Sequence, residues 1–179
     1  MNSSKFIYHV DGDNRLTSMS DSWCEFAQAN GASEIADRSA VAGRSIWTFI
    51  AGEASRHLYG LIFSKVRSGQ RQVVVPFRCD SPTVRRFMSL KIEPLAAEGL
   101  RLTSELLKVE EREYMPLLDA AVSRSSEVLM ICAWCKRIEA GPAVWLEVED
   151  AVEKLGLFGS VELPQLKHGA CRDCSEPYM

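Results

Sequence analysis

"FIYHVDGDNRLTSMSDSWCEFAQANGA", residues 6–32, changes its hydrophobic period once, and that change sets the fold. Large apolar side chains first fall on alternate positions (Phe6, Tyr8, Val10), break off at Asp11-Gly12-Asp13-Asn14, and resume at Leu16. A period of two with a turn-forming interruption marks two short strands joined as a hairpin. From Ser20 the spacing lengthens: Trp23, Phe26 and Ala27 share one helical face, Ser20 or Asp21 can cap its start, and Gly31 is placed to end it.

The same two periods organise the next stretch. "GRSIWTFI" (43–50) reads as a short turn, and "GEASRHLYGLIFSKVRSG" (52–69) carries Ala54, Leu58, Leu61, Ile62 and Val66 at helical spacing. "RQVVVPFRC" (71–79), "RRFMSLKIEP" (85–94) and "GLRLTSEL" (99–106) then alternate as strands, with turns at residues 80–83 and 96–99. Pro76 has no amide proton to give a ladder, so it belongs on an open edge or a bulge. "LLKVEEREYMPLLDAAVSRSSE" (106–127) has high helix propensity broken by Pro116, which predicts a bent helical connector.

Two strands, short helices, a longer helix and three strands is the order of the PAS fold. The residues support that order. "YHVDGDNRLTSMSDSWCEFAQANGA" resembles the PAS opening, a D-x-D/N turn before a strand and then a helix bearing an aromatic residue and Phe-Ala; "VAGRSIWTFI" resembles the segment that follows it. The resemblance covers roughly residues 5–106. It implies an α+β fold, a five-stranded antiparallel sheet with helices on one face, able to enclose a small ligand or haem and to dimerise. Family haem sites take an axial histidine from the longer helix, which makes His57 the residue to examine; a core-margin histidine is the plainer alternative. "DSWCEFAQ" lacks the motif of a photoactive flavin domain.

The second signal is a pair of CxxC motifs, Cys132/Cys135 in "ICAWCKRI" and Cys171/Cys174 in "HGACRDC". Each CxxC knuckle can give two thiolates to one ion, and two knuckles complete a tetrahedral zinc site. A redox pair needs only one such motif, so recurrence points to metal, with zinc-releasing disulfide formation as the alternative. His168 is a lesser candidate ligand, and Cys24 and Cys79 fit apolar faces of a helix and a strand. Between the knuckles, a helix near Pro142 is expected to place Trp145, Val148, Val152 and Leu155 on one face before Gly156. The tail resembles a cysteine module appended to bacterial sensor and response-regulator proteins, departing from it at "LGLFGSVELPQL" and Lys167. The chain thus divides into a PAS-like sensor and dimerisation domain (1–106), a helical connector (107–128) and a small helical zinc-binding module (129–179).

Composition narrows the function. Hydrophobic content of 46% and charged content of 25% are ordinary for a water-exposed globular chain. No apolar run reaches the roughly 20 residues of a membrane span, and the start "MNSSKFIYHVDGD" lacks a secretory apolar segment, which predicts a cytoplasmic protein. From Leu129 onward five Lys or Arg face eight Asp or Glu, which accounts for the whole net charge of −3 and gives no surface for nucleic acid. Arg78, Arg85 and Arg86 flank "CDSPTVRR" and can meet an anion, a partner's carboxylates or salt bridges at a strand end. No nucleophile with a base, phosphate loop or paired-carboxylate motif stands out, so catalytic residues are none and an enzyme is not expected. The expectation is a cytoplasmic signalling or adaptor homodimer that acts through another signalling protein.

Overall fold

A computed structural model of the chain describes residues 5–29, 32–69 and 71–179. Five strands, β1 (Lys5–Val10), β2 (Leu16–Met19), β3 (Val73–Arg78), β4 (Val84–Pro94) and β5 (Leu100–Glu111), form an antiparallel sheet in the order β2-β1-β5-β4-β3. Between β2 and β3 the chain makes helices α1 (Asp21–Ala29), α2 (Arg38–Val41) and α3 (Glu53–Gly69), with single 3-10 turns at Ser33–Ile35 and Ile46–Thr48. Leu58, Ile62, Phe63 and Val66 of α3 pack with Val10, Val75, Leu90, Ile92, Leu100 and Leu102 from one face of the sheet. This is the α+β, PAS-like arrangement expected.

Local chemistry explains the ends of these elements. Ser20 caps α1: its hydroxyl accepts from the Trp23 amide at 3.3 Å and from the Ile7 amide at 3.0 Å, tying the helix start to β1. Gly31, expected to stop this helix, lies outside the described residues. Pro76 does sit on an edge strand, since among the described residues β3 has β4 as its one ladder partner. The buried stripe of α3 is Ser55, Leu58, Ile62, Phe63 and Val66, so Ala54 is exposed and Phe63 takes the place expected of Leu61.

The helical connector expected over 107–128 is corrected. Residue 106 lies inside β5, which runs on to Glu111 because β4 offers a partner along its whole length, from Val84 opposite Glu111 to Pro94 opposite Leu100. Ladder pairing outweighs the helix propensity of Leu, Lys and Glu there. Lys108 faces Phe87 and Leu106 faces Met88, so Leu107 is the extra residue of a bulge. Pro116 opens a 3-10 turn, Pro116–Leu118, and β6 (Arg124–Cys132) follows.

The C-terminal unit has the expected helix between the knuckles, α4 (Val148–Lys154), and also a short helix α5 (Arg172–Ser175) and a sheet that the sequence did not announce. Strands β7 (Ile138–Glu139), β8 (Trp145–Leu146) and β9 (Leu163–Gly169) join β6 in the order β8-β7-β6-β9, with β9 parallel to β6. A parallel pair needs a long crossover, and α4 lies within it. The helix therefore starts at Val148 instead of near Pro142, Trp145 belongs to β8, and Gly156 at φ +65° follows the helix end as expected. Val148, Ala151, Val152, Ile131, Ile138 and Leu163 form this unit's own core, closed by Met115 and Leu117.

Candidate metal centre and cavity

Each knuckle sits where a strand ends. Cys132 is the last residue of β6, and the chain turns through Ala133 and Trp134 to Cys135 before β7. Lys136, at φ +63°, closes that turn by donating its amide to the Cys132 carbonyl at 3.0 Å. Cys171 caps α5 just after β9, and Cys174 lies one turn into the helix, its amide donating to the Cys171 carbonyl at 3.1 Å. The Ala133 amide reaches the Gly169 carbonyl at 2.9 Å, so the β6–β9 ladder holds the knuckles face to face.

All four thiol sulfurs lie within 4.8 Å of one another. Zn–S bonds of about 2.3 Å put four sulfurs at the corners of a tetrahedron with edges of about 3.8 Å. The Cys135 and Cys171 sulfurs are 3.7 Å apart, which matches that edge and is far from the roughly 2.05 Å of a disulfide. Cys132 and Cys171 are buried, Cys135 and Cys174 half-buried, and the Cys171 amide donates to the Cys132 sulfur at 3.4 Å, as thiolate ligands require. Among themselves the thiols share protons. Hydrogen bonds from Cys135 and Cys174 hold the Cys132 thiol well below its ordinary range, while bonding to Cys132 pushes Cys135 up to about 12 and drives Cys174 up as well. The donor set thus fits one soft divalent cation.

His168 is not part of this cluster. It lies in β9 opposite Ile131, and its carbonyl oxygen crowds Gly52 at the start of α3. Cys24 and Cys79 are half-buried free thiols in the first unit, also outside the cluster.

A cavity of about 120 Å³ opens under the PAS-like helices, lined by Tyr8, Leu16, Met19, Trp23, Ile35, Val41, Ile46, Phe49, Ile50, Tyr59 and Leu102. His57 is corrected as a haem ligand. It is exposed, while Leu58 and Tyr59, the next residues of α3, turn to the core and the cavity, because one residue along a helix is a rotation of about 100°. No histidine lines the cavity.

The cysteine cluster and the PAS-like sheet share one body. Cys132, Trp134 and Cys171 belong to the same apolar core as Leu58, Phe63 and Val75. Polar contacts surround this seam. Arg78 pairs with Asp80 and with Glu147 of the tail, Arg112 pairs with Asp80 and Glu149, and Arg85 reaches Glu149 at 2.6 Å. Of the alternatives open for Arg78 and Arg85, salt bridges at the strand end are what the structure shows, with Glu147 and Glu149 of the tail joining Asp80 as their partners. Sequence periodicity missed the tail's part in this network because Glu147 and Glu149 lie more than 60 residues beyond Arg78 and Arg85; the unpaired acidity of the tail was the available signal.

No family model matches the chain, and no curated protein does. Two solved structures show its similarities. The photoactive yellow protein domain of the sensor histidine kinase Ppr from Rhodospirillum centenum is similar over 56% of this chain and 90% of its own, at 16% identity and a TM-score of 0.42. A domain of an HTR-like protein from Haloarcula marismortui is similar over 59% of this chain and 100% of its own, at 16% identity and a TM-score of 0.38.

Proposed function

We propose that the chain is a cytoplasmic signalling or adaptor protein, in which a PAS-like sensing and dimerisation unit is joined to a zinc-stabilised module that contacts a signalling partner. The observation that carries the zinc assignment is the convergence of Cys132, Cys135, Cys171 and Cys174 within 4.8 Å on two knuckles. Bound there, zinc would serve as a structural cross-link, since four thiolates leave no open position for a substrate or water. The five-stranded sheet with its cavity supports the sensing role. Among the described residues no helix is long and apolar enough to cross a membrane.

Metal analysis of protein purified without added metal tests the reading. One zinc per chain is expected, with loss of the metal on changing any of the four cysteines to serine. A folded, reduced protein that holds no stoichiometric metal would overturn it.

A further inference from the structure

Two rings in contact bridge the cavity and the cysteine cluster. Tyr59 lines the cavity, and its ring centroid is 5.5 Å from that of Trp134, the residue between Cys132 and Cys135. Trp134 is 2% exposed and lies 5.3 Å, edge to face, from Tyr178, four residues beyond Cys174. Trp134 itself does not line the cavity. Tyr59 therefore separates the void from Trp134 of the first knuckle, and the Trp134 indole in turn touches the segment that follows the second.

The lining also defines an occupant. Among the described side chains that line it there is no Asp, Glu, Lys, Arg or His, so a charged ligand would lose its hydration with no counter-charge from them to replace it. Trp23 contributes a buried indole Nε1 that has no acceptor in the structure, a donor whose burial is costly until something accepts from it. Cavities of roughly 150 Å³ lined by apolar side chains bind benzene.

We propose that the cavity takes an uncharged, single-ring-sized molecule with one hydrogen-bond acceptor, and that its presence is transmitted to the cysteine cluster through Tyr59 and Trp134. An empty cavity leaves Tyr59 room to relax away from Trp134. A filled one holds the Tyr59 ring against the indole and so fixes the backbone between two metal ligands. Coupling between two sites is reciprocal, so a cation on the cysteines tightens ligand binding by the same factor. The inference rests on the reading of the cavity as a sensing site and goes beyond it by naming the ligand class and the route.

The experiment uses the full chain with its tryptophans replaced by 5-fluorotryptophan, giving four fluorine signals, one for each Trp. Trp23, Trp47 and Trp145 are assigned by single changes to Phe, which leaves Trp134. The probe is p-cresol, neutral at pH 7 and carrying one hydroxyl oxygen. Saturable shifts of both Trp23 and Trp134 are expected, with zinc affinity, read from equilibrium competition with a chelator, raised about fivefold at saturation, a coupling at the low end of the usual range. In Tyr59→Leu the Trp23 shift should persist and the Trp134 shift should vanish. Val41→Phe, which fills the void from its wall, should raise zinc affinity without any probe and abolish the p-cresol response. A silent Trp23 overturns the ligand class, and a Trp23 shift with Trp134 unmoved overturns the coupling. Both fluorine outcomes stand whether or not the cysteines hold zinc, which the metal analysis decides separately.

Discussion

The backbone amide of Arg78 donates to the carbonyl oxygen of Trp134 at 2.6 Å, so the edge strand of the PAS-like sheet and the first cysteine knuckle share a main-chain hydrogen bond. The side chain of the same Arg78 is 8% exposed and lies between Asp80 and Glu147. Burial works against its charge, but the hydrogen bonds from the guanidinium to Asp80 and Glu147 outweigh that and fix it as a cation. Apolar packing holds Trp134, and directional polar contacts set where it sits. The seam therefore has one register, and disturbing the contacts should cost both units together.

Asp80 is the keystone of that network. Its side chain is 1% exposed and pairs with both Arg78 and Arg112, themselves 8% and 6% exposed. Asp80→Ala leaves two buried guanidiniums short of a carboxylate, and breaking a buried pair from one side costs about 3–5 kcal/mol. Denaturant unfolding should show a loss of that size. Removing the exposed Arg38–Asp21 pair should leave the midpoint unchanged.

Gly52 gives a second way to disturb the seam. Its φ is +84°, and a Cβ there would lie 2.5 Å from the His168 carbonyl oxygen in β9. Gly52→Ala combines backbone strain with a backbone clash and should destabilise by about 1–3 kcal/mol. Gly43, at φ +75° with no atom within 4 Å of its Cβ position, controls for strain alone. Gly43→Ala should cost less, and equal thermal shifts for the two variants would show that the contact with His168 adds nothing.

The first unit was legible in the sequence because its signals are local. The change of period at Ser20, the helix of residues 53–69 and the edge position of Pro76 all follow from neighbours within a few residues. The cysteine cluster was legible for the same reason, as paired CxxC spacing implies a knuckle wherever it occurs. The failures are non-local. β5 continues past residue 106 only because β4 pairs with it, β6 and β9 are parallel partners across a long crossover, and which residues of α3 face the cavity, Tyr59 and not His57, depends on how the helix is rotated against the sheet. The shared core under Trp134 is likewise invisible in a sequence whose patterns divide near residue 106.

Glu149 makes the seam sensitive to acid. Burial alone would raise its carboxyl, but hydrogen bonds from Arg85 and Arg112 outweigh that and hold it below its ordinary value. A group with a depressed folded-state pKa contributes stability that is present above the unfolded value, about 4.3, and is lost as pH falls through the folded value. Wild type should exceed Glu149→Gln in stability at pH 6, and the gap should close as the pH is lowered toward 3. A gap that stays constant across that window would mean that the Glu149 charge does not support docking.

Division of the chain gives the last test. A fragment ending near Ser104 keeps less than half of β5, which runs from Leu100 to Glu111, and exposes the apolar surface that Cys132, Trp134 and Cys171 cover. A fragment starting near Glu127 begins inside β6 and lacks Met115 and Leu117, which close the second core. The sequence placed dimerisation in residues 1–106 and zinc binding in residues 129–179; the shared core predicts that neither part folds stably alone, and that the full chain unfolds in one cooperative transition. We place the proposed homodimer contact on the first unit and away from the seam, so light scattering on the full chain should give twice the chain mass while Asp80→Ala, under native conditions, remains dimeric. Two separate unfolding transitions, or a well-folded tail fragment, would show that the two cores are independent and would remove the structural basis for signalling between them.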